Sequence, residues 1–174
     1  LHEVKYIGLM ALYAIGINLY IETFARLTTS PLAGIVFMVS HPVVFLYNTT
    51  IIFATMTIAL LFKKRRFAWM IISLFWVALG TGNGVLLLSR ITPFTLYDLA
   101  NFADGLTLMT TYYPAWQITL IIIGLVRTSL SIVFIFIRSQ KWQNIKYGKS
   151  LAAIAIAFAI AGASTVGAIS FGVV

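Results

Sequence analysis

The fold class this chain predicts is an all-α integral membrane protein, and three observations carry that reading. Of its 174 residues, 61% are hydrophobic and 9% charged, with a mean hydropathy of +1.00, a composition suited to lipid rather than water. The apolar residues gather in five runs, each close to the roughly 20 residues a helix needs to cross a hydrocarbon core about 30 Å thick. Basic residues collect in alternate gaps between the runs, the bias that cytoplasmic loops show. The expected architecture is a five-helix transmembrane bundle with two short outer interfacial helices, N-terminus inside and C-terminus outside, and little chain left over for a soluble domain.

Taken in order, the spans run over about 6–24, 43–62, 67–88, 116–137 and 151–173. Lys5 precedes the first, Lys63, Lys64, Arg65 and Arg66 ("KKRR") separate the second from the third, and Arg138, Lys141, Lys146 and Lys149 separate the fourth from the fifth. These nine of the twelve basic residues mark the inner side; Arg26 and Arg90 fall outside and Arg127 within a span. The same bias accounts for the net charge of +8 without a nucleic-acid partner. A signal peptide is the rival reading of the first run, but Asn18 and Glu22 are foreign to a signal core. The first outer segment, about 30–40, begins with Ser30 as a suitable N-cap and Pro31 at the first helical position, and Pro42 ends it. The second, about 93–109, places Leu96, Leu99, Ala100, Ala103 and Leu106 on one face and Asp98, Asn101 and Asp104 on another, so it should lie flat on the outer surface. In the fifth run Ala155, Ala159, Ala163 and Gly167 recur every four residues, the pattern of a close-packing seam. The cluster "GTGNG", with Gly80, Gly82 and Gly84, lets the third span kink or approach a neighbour closely.

Polar groups inside a bilayer are costly, so their depth is informative. Counted at 1.5 Å per residue from the inner edge, Asn18 lies at roughly 18 Å, Asn48 at roughly 22 Å, and Glu22 and Asn83 at roughly 24 Å. All four fall in the outer half, and the inner half is almost wholly apolar. Asn18, Glu22 and Arg26 share one helix face, with Glu22 placed favourably before Arg26. Arg90, Asp98 and Asp104 follow above them, and Arg127 sits near the midplane. The nine residues Asn18, Glu22, Arg26, Asn48, Asn83, Arg90, Asp98, Asp104 and Arg127 are the candidates for binding lipid or docking another domain. Arginines such as Arg26 and Arg90 suit a lipid phosphate, and the amides and carboxylates suit hydroxyls. Each also has a structural reading, as interfacial ion pair, helix cap or interhelical hydrogen bond.

No catalytic constellation stands out. His2 and His41 are the only histidines and fall on opposite sides of the membrane, there is no cysteine, and no phosphate-cradling glycine loop is present. The sequence therefore predicts neither catalytic residues nor a metal site in this chain.

The series "NLYIETFAR" (Asn18 to Arg26), "HPVVFLYN" (His41 to Asn48), "KKRR", and "GNGVLLLSRITPFTLYDL" (Gly82 to Leu99) resembles the membrane domain of the lipoteichoic acid synthase family along essentially the whole chain. Arg90, Thr92, Pro93, Phe94 and Asp98 are the most specific part. The resemblance implies five helices followed, after residue 174, by an extracellular sulfatase-like domain. With a threonine nucleophile and a divalent metal, typically manganese, that domain would move glycerol phosphate from phosphatidylglycerol onto a cell-envelope polymer. It implies a bacterial plasma membrane, membrane lipids as ligands, and the chain's own outer domain as partner. The rival expectations are a stand-alone scaffold subunit or a small transporter.

Overall fold

The computed structural model describes residues 2–26, 30, 32–89, 95, 97, 115–141, 145 and 147–170. Among these there are helices and no strands: α1 (His2–Ala25), α2 (Ala33–Ser40), α3 (Pro42–Thr57) closed by a 3-10 turn (Ile58–Leu61), α4 (Arg65–Ser89), α5 (Ala115–Arg138) and α6 (Tyr147–Ser170). Four helical stretches are long and apolar enough to cross a membrane, namely Tyr6–Ala25, Pro42–Leu61, Arg65–Gly84 and Tyr147–Ser170. The chain is thus a helical multi-pass membrane protein. α5 is a further helix of 24 residues. Apart from Thr95 and Tyr97, the outer segment at 93–109 lies outside the described residues, as do the candidates Arg90, Asp98 and Asp104.

The side-chain pairings give the helix directions. Tyr6 and Tyr13 meet Trp69, and Tyr20 meets Thr81, so α1 and α4 rise together. Asn18 reaches Thr49 while Met10 packs with Ala59 and Leu60, so α3 runs against α1. Thr50 meets Ser164 while Ala54 packs with Ala157 and Ala161, so α6 runs against α3. Lys64 donates from Nζ to the carbonyl of Phe136 at 2.7 Å, and its ammonium sits 3.3 Å from the Phe136 ring centre. That contact brings the Lys63–Arg66 loop and the basic segment after α5 to the same end of the bundle.

The core divides into two layers along α1. Met10, Ala59, Leu60 and Ala68 form the layer nearer the basic end. Ala14, Ile17, Ile52 and Met56 form the next, flanked by Trp69 and Trp76. Small residues decide how near the helices come. A Cβ at Gly80 would run into Ile21 Cγ1, and one at Gly84 into Phe24 Cδ1, whereas Gly82 has open space. The glycine cluster therefore works as a contact face on α1.

α6 uses a different seam from the one its fourfold spacing suggested. Ala157, Ala161 and Ala168 are buried, while Ala155, Ala159 and Ala163 are exposed. The reason lies in the composition of the run: "AAIAIAFAIAGAS" carries small residues on more than one face. Contact with Ala54 and Phe53 of α3 selects the register.

α2 lies across the far end of α1. A Cβ at Gly34 would stand 2.8 Å from the Thr23 nitrogen and 2.9 Å from its Cα, so backbone meets backbone there. Ser30 Oγ accepts the Leu32 N–H at 3.2 Å, and the helix itself begins at Ala33.

Candidate functional site

The polar side chains of the described residues converge where the last turns of α1 meet the first turns of α3, beneath α2. Three consecutive residues of α3 do most of the joining, because neighbours on a helix point about 100° apart. Asn48 donates from Nδ2 to Glu22 Oε1 at 3.0 Å. Thr49 Oγ1 accepts from Asn18 Nδ2 at 3.0 Å. Thr50 Oγ1 lies 2.9 Å from Ser164 Oγ on α6. One short polar run thereby ties three helices together.

Asn18 is 1% exposed. Its amide also donates to the Phe45 carbonyl at 2.8 Å, and Thr49 donates to that same oxygen at 2.8 Å, which closes a three-membered network. A buried amide without such partners would carry a full desolvation penalty.

One turn further on, Glu22 is 7% exposed and is held from two sides. Arg26 Nη1 donates to its Oε2 in a salt bridge, and Asn48 satisfies its Oε1. Arg26 in turn lies over the Phe37 ring of α2, with Cζ 3.8 Å from the ring centre, a cation–π contact. Phe37 also stacks with His41 at 5.1 Å and 20° between planes. The carboxylate is thus buried and paired, while the Arg26 side chain remains 36% exposed. Its hydrogen bonds to described residues, to Glu22 Oε2 and to the Glu22 carbonyl, both leave from Nη1. The Nε and Nη2 donors, which form the planar fork of the guanidinium, make none to the described residues.

Of the sequence-selected candidates, Asn18, Glu22, Arg26 and Asn48 come together here. Asn83 sits half-buried on α4, one residue before the Gly84 contact with Phe24. Arg127 belongs to another region: it lines a groove on α5 with Ile123, Val126 and Leu130.

Several contributors carry no signal of their own in the sequence. Thr49 and Thr50 look like ordinary helix-neutral residues, and Phe37 reads as one more apolar side chain of α2. The pair Tyr20–Thr81 at 2.8 Å and the bond from Trp76 Nε1 to Thr55 at 2.8 Å depend on which faces meet. Only the run Asn48-Thr49-Thr50, polar in an apolar helix, offered a hint.

No group of three metal-ligating side chains occurs among the described residues. What the arrangement offers is recognition: a charge-compensated arginine at the rim, beside hydroxyls and amides. No protein-family model, no curated protein and no solved structure matches the chain.

Proposed function

We propose that the chain is a five-span membrane domain, with α5 as a span and the Lys63–Arg66 end cytoplasmic. On this reading the Glu22–Arg26–Asn48 cluster faces the outer leaflet and binds the phosphate of a phospholipid, phosphatidylglycerol in the first instance. The domain would hold an extracellular sulfatase-like enzyme of the lipoteichoic acid synthase type beside that lipid, with manganese in the enzyme domain. Tethering raises the local concentration of the enzyme at the headgroups.

The observation that carries the proposal is the Arg26 guanidinium. Glu22 and Phe37 fix its position, and the edge that meets no described residue has the fork geometry that matches phosphate oxygens. The net charge of the pair is zero, so an added phosphate is balanced by the surrounding dipoles and by any second cation. Arg90, Asp98 and Asp104 are proposed to complete the rim, Arg90 toward phosphate and the aspartates toward glycerol hydroxyls or the docked domain. The apolar layers around Met10, Ala14, Met56 and Leu60 favour this over a transporter, which needs a polar route through that half.

The test is lipid binding by the whole chain in nanodiscs of phosphatidylcholine doped with phosphatidylglycerol, read by native mass spectrometry. The wild type should retain phosphatidylglycerol over phosphatidylcholine, Arg26→Lys should retain part of that preference, and Arg26→Gln should lose it. Equal retention of both lipids by the wild type would reject the site.

A further inference from the structure

α5 packs less than the other long helices described. It touches α4 and the turn before it, through Phe136 on Phe67 and Lys64, and through a shallow groove in which Arg127 and Ser131 border Met70 and Leu74. Its other face is open: Val126, Leu130 and Phe134 are 52%, 65% and 60% exposed, and with Ile123 they border a groove of about 720 Å³. An apolar face turned to lipid needs no explanation. The cation that borders it does, because Arg127 lines both this groove and the one against α4.

Arg127 lines the groove twelve residues after Ala115 and eleven before Arg138, the middle of the helix. At 1.5 Å per residue either end is about 17 Å away, and a snorkelling arginine side chain covers less than half of that. The guanidinium cannot shed its proton to escape the cost. The ion pair formed among the described residues is Glu22 with Arg26, and the polar side chain beside Arg127 in the groove is Ser131.

We infer that the α5 face centred on Arg127 docks a transmembrane helix of another protein, one that carries an aspartate or glutamate at the same depth. The chemistry of the residue selects this occupant. A lipid phosphate stays at the interface, beyond the reach of the side chain from mid-helix. Residues 1–174 of a second copy offer no suitable acid: Glu3 and Glu22 lie near the two ends of α1, and Asp98 and Asp104 fall in sequence between α4 and α5. Pairing α5 with α5 would bring two guanidinium groups together. A carboxylate at mid-depth on a foreign helix neutralises the charge, and the surrounding Ile, Val, Leu and Phe side chains supply the packing surface. This inference needs only that α5 crosses the bilayer, and it stands whether or not Arg26 binds lipid.

The experiment uses the full chain, donor-labelled, in phosphatidylcholine liposomes. It is titrated with acceptor-labelled synthetic Leu/Ala helices of about 20 residues. Four peptides differ at one position: central Glu, central Gln, central Leu, or Glu one turn from an end. Energy transfer should show the central-Glu peptide binding about tenfold more tightly than the central-Leu peptide, a difference of about 1.4 kcal/mol. The end-Glu peptide should gain little. Arg127→Leu should erase the advantage and Arg127→Lys should keep most of it. Should Arg127→Leu insert poorly, the peptide series on the wild type decides alone. The inference is overturned by equal binding of the central-Glu and central-Leu peptides to the wild type, by an advantage that survives Arg127→Leu, or by Arg127-dependent self-association of the chain. It is equally overturned if adding phosphatidylglycerol to the liposomes abolishes the advantage, since a headgroup would then hold the arginine.

Discussion

The junction of α1 with α3 and the outward face of α5 are built from equally apolar stretches, yet they solve opposite problems. At the junction, Asn18, Glu22 and Asn48 are drawn inward and each finds a partner on another helix or in the next turn. On α5, Leu130 and Phe134 are left facing outward and Arg127 meets no described carboxylate. In water the second surface would be a defect; in lipid its apolar part costs nothing, because acyl chains are as apolar as leucine. Hydrophobicity therefore places these helices in the membrane, while polar and small residues decide which faces meet. A polar residue without a partner is then the informative exception.

At the polar junction the comparison is broken most severely by removing one side of the Glu22–Arg26 pair. Arg26→Leu leaves a buried carboxylate with Asn48 as its remaining partner, and should cost about 2 to 4 kcal/mol. That is at or below the range for fully buried pairs, because the guanidinium is partly exposed. Glu22→Gln combined with Arg26→Leu should recover most of the loss, since an amide can still accept from Asn48. Equilibrium unfolding in mixed SDS micelles measures both; a double variant no more stable than Arg26→Leu alone would show that the arginine packs rather than pairs.

Next in size is the contact between α2 and α1. Gly34→Ala would drive a methyl group into the Thr23 backbone, and neither helix can move aside without giving up its packing. The expected loss is about 1 to 3 kcal/mol. Gly82→Ala, with open space around it, should change stability by no more than about 0.5 kcal/mol, or raise it slightly. Similar thermal shifts for the two variants would argue that α2 is not seated on Thr23.

Much of the junction could be read before any coordinates, and the reasons are specific. Asn18, Glu22 and Arg26 advertise a shared face by their spacing, and Asn48 announces itself as an amide in an apolar run. Their partners do not, because a threonine hydroxyl can always fall back on the carbonyl one turn earlier in its own helix, as Thr49 also does at 2.8 Å to Phe45. Apolar runs likewise advertise long helices but not the seam of α6, where alanines occupy alternate positions and both faces satisfy the small-residue rule. What selects Ala157 and Ala161 is the shape of α3 across from them, a tertiary fact that the α6 sequence does not hold. The glycines of α4 were readable as a place of close approach, and Ile21 and Phe24 supply the neighbour.

A smaller effect tests whether the three-way fan of Asn48, Thr49 and Thr50 is additive. Thr50 and Ser164 each also bond a carbonyl in their own helix, to Tyr47 at 2.8 Å and to Ala161 at 2.7 Å. Thr50→Val with Ser164→Ala in a double-mutant cycle should therefore give a coupling near 0.6 kcal/mol, the usual size of an interhelical hydrogen bond in a bilayer. A coupling above about 2 kcal/mol would mean that α6 depends on this bond for its place.

The smallest effect is expected where a soluble protein would show none and a core would show a large one. Leu130→Ala removes a side chain that is 65% exposed on α5, and no described residue closes over it. In the isolated chain lipid fills the space, so unfolding in mixed micelles should shift by less than about 0.5 kcal/mol. Ile52→Ala, at 1% exposed between α1 and α4, removes a comparable volume and should cost about 2 to 5 kcal/mol through the cavity it leaves. The contrast becomes sharper when the central-Glu helix is present. If that helix occupies the Arg127 groove, Leu130 becomes a buried contact, and Leu130→Ala should weaken peptide binding severalfold while leaving the free chain as stable as before. A Leu130→Ala variant that is destabilised alone, and no weaker toward the peptide, would instead place Leu130 against this chain's own residues and make α5 an interior helix.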